Sequence, residues 1–79
     1  MIIQVLFFGA TADIAGTRRI HIDVSPQTLA KAVFEKILSK HPRLASHKLH
    51  ISINQQYATG DEVVRDGDEI AIFTVVSGG

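Results

Sequence analysis

The sequence predicts a single α+β domain, in which one main helix packs across a mixed β-sheet. Residues 2–8 and 18–24 show the apolar pattern of strands, whereas residues 30–38 show the apolar spacing of an amphipathic helix. The chain has 79 residues and no cysteine, so it has room for one hydrophobic core and cannot form a disulfide or a thiolate metal site. Packing of the sheet against the helix must therefore hold the fold together.

The first predicted strand, residues 2–8, is rich in β-branched and aromatic residues and ends at Gly9. Strict alternation divides its side chains between two faces. The inward face is expected to carry Ile3, Val5 and Phe7, and the opposite face Gln4, Leu6 and Phe8. Residues 9–16 are small or polar apart from an Ile14 anchor, and no regular element is expected there. They precede the second strand, residues 18–24, in which Ile20, Ile22 and Val24 alternate with polar residues.

A helix is predicted to follow the second strand. Its apolar residues fall at helical spacing: Ala30, Val33, Phe34, Ile37 and Leu38. Ser25 or Thr28 is expected to cap the N-terminus of this helix with its side-chain oxygen. The helix is expected to end by His41, because Pro42 disfavours helical geometry in the residue before it.

The second half of the chain is predicted to complete the sheet. Residues 49–53 read as a strand, Asn54 as a left-handed turn residue, and the neighbourhood of Tyr57 as a brief strand. After a turn, residues 69–73 form the last strand, with Ile70 and Ile72 inward. A right-handed crossover lets the first and last strands pair in parallel at the centre of the sheet. This order predicts a ubiquitin-like β-grasp roll over residues 1–73 and a flexible tail over residues 74–79.

Composition and spacing argue against several classes of function. Eight basic and eight acidic residues cancel and are scattered along the chain, so neither nucleic acid nor a membrane is expected as a partner. No apolar run could span a bilayer and no signal peptide is recognisable, so a cytoplasmic protein is expected. No glycine-rich phosphate loop occurs, so no bound cofactor is expected. His41, His47 and His50 are interpreted as surface residues and not as a metal site.

The C-terminal sequence Val76-Ser77-Gly78-Gly79 is the segment expected to carry chemistry. Two glycines without side chains can enter a narrow channel that bulkier residues would block. If a partner enzyme converts the Gly79 carboxylate to an acyl-adenylate, a sulfur nucleophile gives a thiocarboxylate and a lysine amine gives an isopeptide bond. In either reaction the tail is a substrate, and its side chains supply no catalysis.

The whole chain resembles the MoaD/ThiS family of sulfur carriers, to which the small subunit of molybdopterin synthase belongs. The similar segments are residues 3–10 (Ile-Gln-Val-Leu-Phe-Phe-Gly-Ala), Ala15-Gly16, Ile53-Asn54-Gln55, residues 66–73 (Asp-Gly-Asp-Glu-Ile-Ala-Ile-Phe) and Val76-Ser77-Gly78-Gly79. One position departs from the family: Thr74-Val75 stands where its members usually have two prolines. Proline would hold the tail extended, but a β-branched pair also favours extension.

The resemblance implies a sulfur-carrier function for the chain in molybdenum cofactor biosynthesis. A ubiquitin-activating-like adenylyltransferase would use ATP to adenylate Gly79, and sulfur would then be loaded as a thiocarboxylate. The tail would insert into the large subunit of molybdopterin synthase and pass sulfur to the pterin precursor. The catalytic side chains would belong to that large subunit, so this chain is not expected to be an enzyme on its own.

A docking surface for these partners is predicted beside the tail. If the first and last strands are neighbours, Leu6, Phe8, Ala71 and Phe73 share the sheet face opposite the helix, and exposed apolar clusters often mark interfaces. Three other functions remain open on the residues alone. They are a sulfur carrier for thiamine or another thio-metabolite, a ubiquitin-like modifier of lysines, and an interaction module in which the tail has no role.

Overall fold

A computed structural model describes residues 1–74, and the predictions made for residues 75–79 lie outside the described residues. Within residues 1–74, five strands form one mixed sheet in the order β2-β1-β5-β3-β4. The strands are β1 (Ile2–Phe7), β2 (Arg19–Asp23), β3 (Leu49–Ile53), β4 (Gln56–Tyr57) and β5 (Glu69–Thr74). The helices are α1 (Ala10–Ala15), α2 (Ala30–Lys40) and a 3-10 helix (Pro42–Ser46).

The central pair of strands, β1 and β5, is parallel. Val5 lies opposite Ile70, and Phe7 lies opposite Ile72. β2 flanks β1 and β3 flanks β5, both in antiparallel pairing. A parallel central pair formed by the first and last strands confirms the ubiquitin-like β-grasp roll predicted from the sequence.

The hydrophobic core lies between the sheet and α2. Ile3, Val5 and Phe7 are buried as predicted, together with Ile70 and Ile72. The helix contributes its predicted apolar face, of which three residues are fully buried: Ala30, Val33 and Ile37. Leu44 of the 3-10 helix and Val64 of the loop before β5 complete the core. Burial of these apolar side chains is the main source of stability, since each buried Val, Leu, Ile or Phe contributes about 1.5 to 3 kcal/mol.

The segment over residues 9–16 connects β1 to β2, but it contains a helix that was not predicted, α1 (Ala10–Ala15). The helix ends at Gly16, whose φ of 76° is the left-handed conformation that commonly terminates helices. Thr11, in the first turn, is fully buried. Six residues are too few to show a helical period in the sequence, so contacts with the rest of the fold decide the conformation.

The predicted side-chain cap of α2 is also wrong. The Thr28 hydroxyl donates to the Ser25 carbonyl 2.6 Å away, and no side chain caps the helix. Backbone carbonyls of a later loop accept the first N–H groups instead. The amide of Ala30 donates to Glu62 at 2.8 Å, and that of Lys31 donates to Gly60 at 2.9 Å. Because these acceptors lie about thirty residues further along the chain, a local capping rule could not identify them.

The turn between β3 and β4 confirms the left-handed conformation predicted for Asn54, with φ of 49°. Gln55 follows with φ of 71°, so both central turn residues have positive φ. The Asn54 side chain also joins the turn to β5, because its Oδ1 accepts from the amide of Glu69 at 3.0 Å. Its Nδ2 donates to Oδ1 of Asp68 at 3.0 Å.

Candidate functional site

The root of the C-terminal tail lies at one end of the central strand pair. β5 continues through Thr74, one residue beyond the predicted strand, and Thr74 pairs with Leu49 of β3. The tail residues proposed for chemistry, Val76, Ser77, Gly78 and Gly79, lie outside the described residues, and their role remains a prediction. The described part of the site is the surface around Thr74.

The sheet face opposite α2 is built around Ala71. Ala71 lies opposite Leu6 of β1 on one side and Ser52 of β3 on the other. Phe73, two residues further along β5, projects to the same face because side chains alternate along a strand. The structure therefore brings Leu6, Ala71 and Phe73 together on one face, as the sequence predicted. We call this surface the open face.

Phe8 extends the open face beyond the end of β1. Its amide donates to the carbonyl of Ile72 at 3.0 Å, which continues the parallel ladder by one residue. The side chain is 52% exposed and, with Leu6, lines a groove of about 600 Å³ that Arg18 and Arg19 also border. An exposed aromatic ring beside a groove is a suitable anchor for a protein partner.

Phe73 belongs to an aromatic cluster that the sequence pattern does not reveal. Its ring stacks on His50 with a centroid distance of 5.9 Å and lies 5.7 Å from the ring of Tyr57. Phe73 is consequently half-buried, whereas Tyr57 is 75% exposed. Phe73 of β5 is paired with His50 of β3, and knowledge of this strand register would have predicted the cluster.

The remaining predicted docking residue, Ala71, is only 8% exposed. It is a short side chain on a central strand, flanked on both sides by paired strands, so little of its surface reaches solvent. Ala71 can contribute a shallow floor to the open face but not an anchor. The protruding groups are Phe8 on the β1 side and Tyr57 on the β4 side.

A buried hydroxyl joins α1 to the strand that leads to the tail. The Oγ1 atom of Thr11 lies 2.6 Å from the carbonyl oxygen of Phe8 and 2.9 Å from that of Ile72. The Phe8 amide donates to the same Ile72 oxygen. These contacts fix the end of β5 against α1, two residues before Thr74. No pattern in the sequence singles out Thr11.

The histidines considered for metal binding have other surroundings. His41 packs edge-on against Phe7 with a centroid distance of 5.5 Å, and His50 belongs to the aromatic cluster on β3. No group of three potential metal ligands occurs within residues 1–74. None of the helices in that same part of the chain is long and apolar enough to cross a membrane.

Comparisons with known proteins support the fold and find similarity along almost the whole chain. The ThiS family model matches residues 5–79. The molybdopterin synthase sulfur carrier subunit of Homo sapiens is 34% identical, with 98% of this chain and 93% of the relative covered. That of Haemophilus influenzae is 36% identical, with coverages of 98% and 99%. The crystal structure of SAMP1 from Haloferax volcanii superimposes over the whole of both chains with a TM-score of 0.89 at 26% identity.

Proposed function

The chain belongs to the ThiS family, and from this we propose that it is the sulfur-carrier subunit of a molybdopterin synthase. The observation that supports this proposal most directly is similarity along the full chain to proteins of that name from human and bacterial sources. The matched region includes residues 75–79, so it contains the Gly78-Gly79 segment. The proposed role requires no catalytic side chain in this protein.

The proposed reaction takes place at the carboxylate of Gly79. A partner adenylyltransferase joins this carboxylate to the AMP moiety of ATP and releases pyrophosphate. Hydrosulfide, or a donor equivalent to it, then attacks the acyl carbon and AMP leaves, so that the glycine ends in a thiocarboxylate. The large subunit of the synthase receives the tail and directs its sulfur to the pterin precursor. ATP is used by the activating partner, and no cofactor is required by this chain.

In this proposal the described residues bind partners and position the tail. Leu6, Phe8 and Phe73 supply apolar and aromatic contacts for the activating enzyme and for the large subunit, above a floor that includes Ala71. Thr11 holds the end of β5 in place through the Ile72 carbonyl. A fixed starting point matters because reacting groups must be placed to within a fraction of an ångström.

Two alternative fates of an activated Gly79 define the competing functions. The close superposition on SAMP1 of Haloferax volcanii, described as a small archaeal modifier protein, favours lysine modification as the second candidate. In that case a lysine amine, and not a sulfur nucleophile, would displace AMP. A sulfur carrier for thiamine or another thio-metabolite would share the thiocarboxylate and differ only in the final acceptor.

The proposal is tested by loading three forms of the chain with sulfur. The natural chain, a form with one alanine added after Gly79 and a form lacking Gly79 are incubated with the adenylyltransferase, ATP and sulfide. Intact mass spectrometry follows the replacement of one oxygen by sulfur. Only the natural chain should be loaded, because deletion leaves Gly78 about 3.5 Å short of the activating site.

Two outcomes would contradict the proposal. Normal loading of the extended or the truncated form would show that the Gly79 carboxylate is not the reacting group. Isolation of the chain from its host as lysine conjugates, without thiocarboxylate, would favour the modifier function. The circular dichroism spectra of the three forms should coincide, which separates loss of loading from loss of fold.

A further inference from the structure

Charges that are scattered along the sequence are segregated in the fold. One end of the molecule, where β5 reaches Thr74, is mainly basic. Within residues 1–74 it holds a single carboxylate, Asp13, and five cationic residues: Arg18, Arg19, Lys40, Arg43 and Lys48. Arg18 is placed there by its carbonyl, which accepts from the Phe7 amide at 2.9 Å. Lys48 directly precedes Leu49, the residue paired with Thr74.

The opposite end of the sheet is mainly acidic. It holds six carboxylates: Asp23, Asp61, Glu62, Asp66, Asp68 and Glu69. Its cations are Lys31, Lys36, Arg65 and the N-terminal ammonium. Contacts with the start of β1 fix this location, because the Ile2 amide donates to Asp66 at 3.1 Å and Gln4 pairs with Glu69. The net charge of zero therefore conceals a dipole along the strands, with its positive end at the tail root.

The two sets of charges differ in what they do for the fold. Carboxylates at the acidic end accept backbone hydrogen bonds: Asp68 from the Arg65 amide at 2.7 Å, and Glu62 from the Thr59 amide at 2.7 Å. At the basic end, Lys40 lies in the last turn of α2, where a cation stabilises the helix dipole. The side chains of Arg18, Arg19 and Lys48 are exposed and form no hydrogen bond or ion pair within residues 1–74. Contacts within residues 1–74 thus give these three cations no role in stabilising the fold.

The three cations flank the tail root on both sides. Arg18 and Arg19 border the groove that Leu6 and Phe8 line, so this part of the basic end is continuous with the open face. Lys48 lies on the β3 side of Thr74. A protein that docks around Thr74 would lie between these two positions. Its surface would meet apolar groups in the groove and positive charges around it.

We propose that Arg18, Arg19 and Lys48 dock onto a protein whose tail-receiving cleft is bordered by carboxylates. This inference rests on the proposed function, which requires a cleft for the tail in the activating enzyme; the carboxylates around that cleft are the new element. Complementary charges would steer the dipole so that the tail root arrives first and the acidic end points away. A protein partner fits better than nucleic acid, because the cations adjoin a groove lined by Leu6 and Phe8, and the carboxylate of Asp13 in the same groove would repel phosphate.

The test compares charge reversals at the two ends of the molecule. Arg18→Glu and Lys48→Glu alter the basic end, and Arg65→Glu makes the same change in net charge at the acidic end. Association of each full chain with the adenylyltransferase is followed by stopped-flow fluorescence at low and high salt. At low salt we expect the first two variants to associate about threefold or more slowly, and Arg65→Glu to match the natural chain. High salt should abolish the difference.

Several results would overturn the inference. They are equal slowing by all three variants, no slowing by any, or no association of the natural chain with the enzyme. Binding of transfer RNA by the natural chain, lost in Arg18→Glu, would assign the cations to nucleic acid instead. Thiocarboxylate formation at saturating enzyme separates this inference from the proposed function. If the charge-reversal variants are loaded normally and associate at unchanged rates, only the docking role is refuted. If the natural chain binds the enzyme but is not loaded, only the sulfur-carrier function is refuted.

Discussion

The hydroxyl of Thr11 lies 2.9 Å from the carbonyl oxygen of Ile72 and is fully buried between α1 and β5. It also lies 2.6 Å from the Phe8 carbonyl at the start of α1. A buried hydroxyl placed against two strand-end carbonyls links the short helix to the central strand pair. Loss of this hydroxyl should therefore weaken this end of the sheet.

Replacement of Thr11 by valine should lower the free energy of unfolding by about 1 to 2 kcal/mol. Valine keeps the shape but removes the hydroxyl, so the Phe8 and Ile72 carbonyls lose the one proton that the hydroxyl can donate to either of them. Thr17→Val is the matched control, since the Thr17 hydroxyl bonds locally to Arg19 in an exposed segment. Urea unfolding measures both variants. Equal losses at the two positions would show that burial of the Thr11 hydroxyl has no special importance.

The two phenylalanines beside the tail root should respond differently to truncation. Phe8→Ala should change the melting temperature little, because its ring is half exposed, whereas Phe73→Ala should cost about 1 kcal/mol from lost contacts with His50 and Tyr57. Both variants should weaken binding to the large subunit, by about 2 kcal/mol for a good aromatic anchor. Calorimetric scanning and titration provide the two measurements. A large fall in stability for Phe8→Ala would make it a core residue.

The carboxylate of Glu62 should contribute stability that disappears in acid. Its pKa is lowered, chiefly by the hydrogen bond from the Thr59 amide, with a further bond from the Gly60 amide. A lowered folded-state pKa gives stability that is present above the unfolded-state pKa and is lost as pH falls through the folded-state pKa. Glu62→Gln should therefore flatten the fall in stability at acid pH.

Glu35→Gln is the control for the pH experiment, because Glu35 is exposed on α2 and makes no side-chain hydrogen bond within the described residues. In every variant the free energy of unfolding should still fall to some extent in acid. The reason is that the pKa of Asp23 is also lowered, first by its hydrogen bond with the N-terminal ammonium. Unfolding midpoints measured at pH values from neutral to acid provide the comparison. Identical pH profiles for Glu62→Gln and the natural chain would refute the role of this carboxylate.

Gln55→Gly should stabilise the protein by up to about 1 kcal/mol. Gln55 has φ of 71°, a conformation that costs a residue with a Cβ atom about 1 to 2 kcal/mol and costs glycine little. Asn-Gly is also the preferred pair for a turn with two positive φ angles. Gln56→Gly, one residue later in β4, should destabilise by comparison. Chemical denaturation of both variants gives the sign, and destabilisation by Gln55→Gly would contradict the argument.

The sequence predicts the sheet and α2 because their patterns are long enough to show a period. Ile70 and Ile72 could be matched with Val5 and Phe7 as an inward set, and this led directly to the parallel central pair. α1 was missed because six residues between two glycines carry no usable period. Its conformation depends on contacts such as that of Thr11 with Ile72, which link positions distant in the chain.

The open face was predicted only in part for a similar reason. Alternation along β1 and β5 places Leu6 and Phe73 on one side, but the cluster around Phe73 depends on the register of β3 and β4. His50 and Tyr57 become neighbours only through that register. The charges likewise look scattered in the sequence but are segregated in the fold, because strand pairing brings Arg18 and Lys48 to one end of the molecule.

The parallel pairing of β1 with β5 has a consequence for the order in which the protein becomes native. Gln4 pairs with Glu69, so the central contact of the sheet closes a loop that contains nearly the whole chain. Such non-local contacts slow folding, because chain entropy is lost before the strands gain their pairing energy. Until the last strand docks, β1 lacks its central partner, and a growing polypeptide cannot complete the core. The core is thus complete only after docking of β5, the strand that leads towards Gly78 and Gly79.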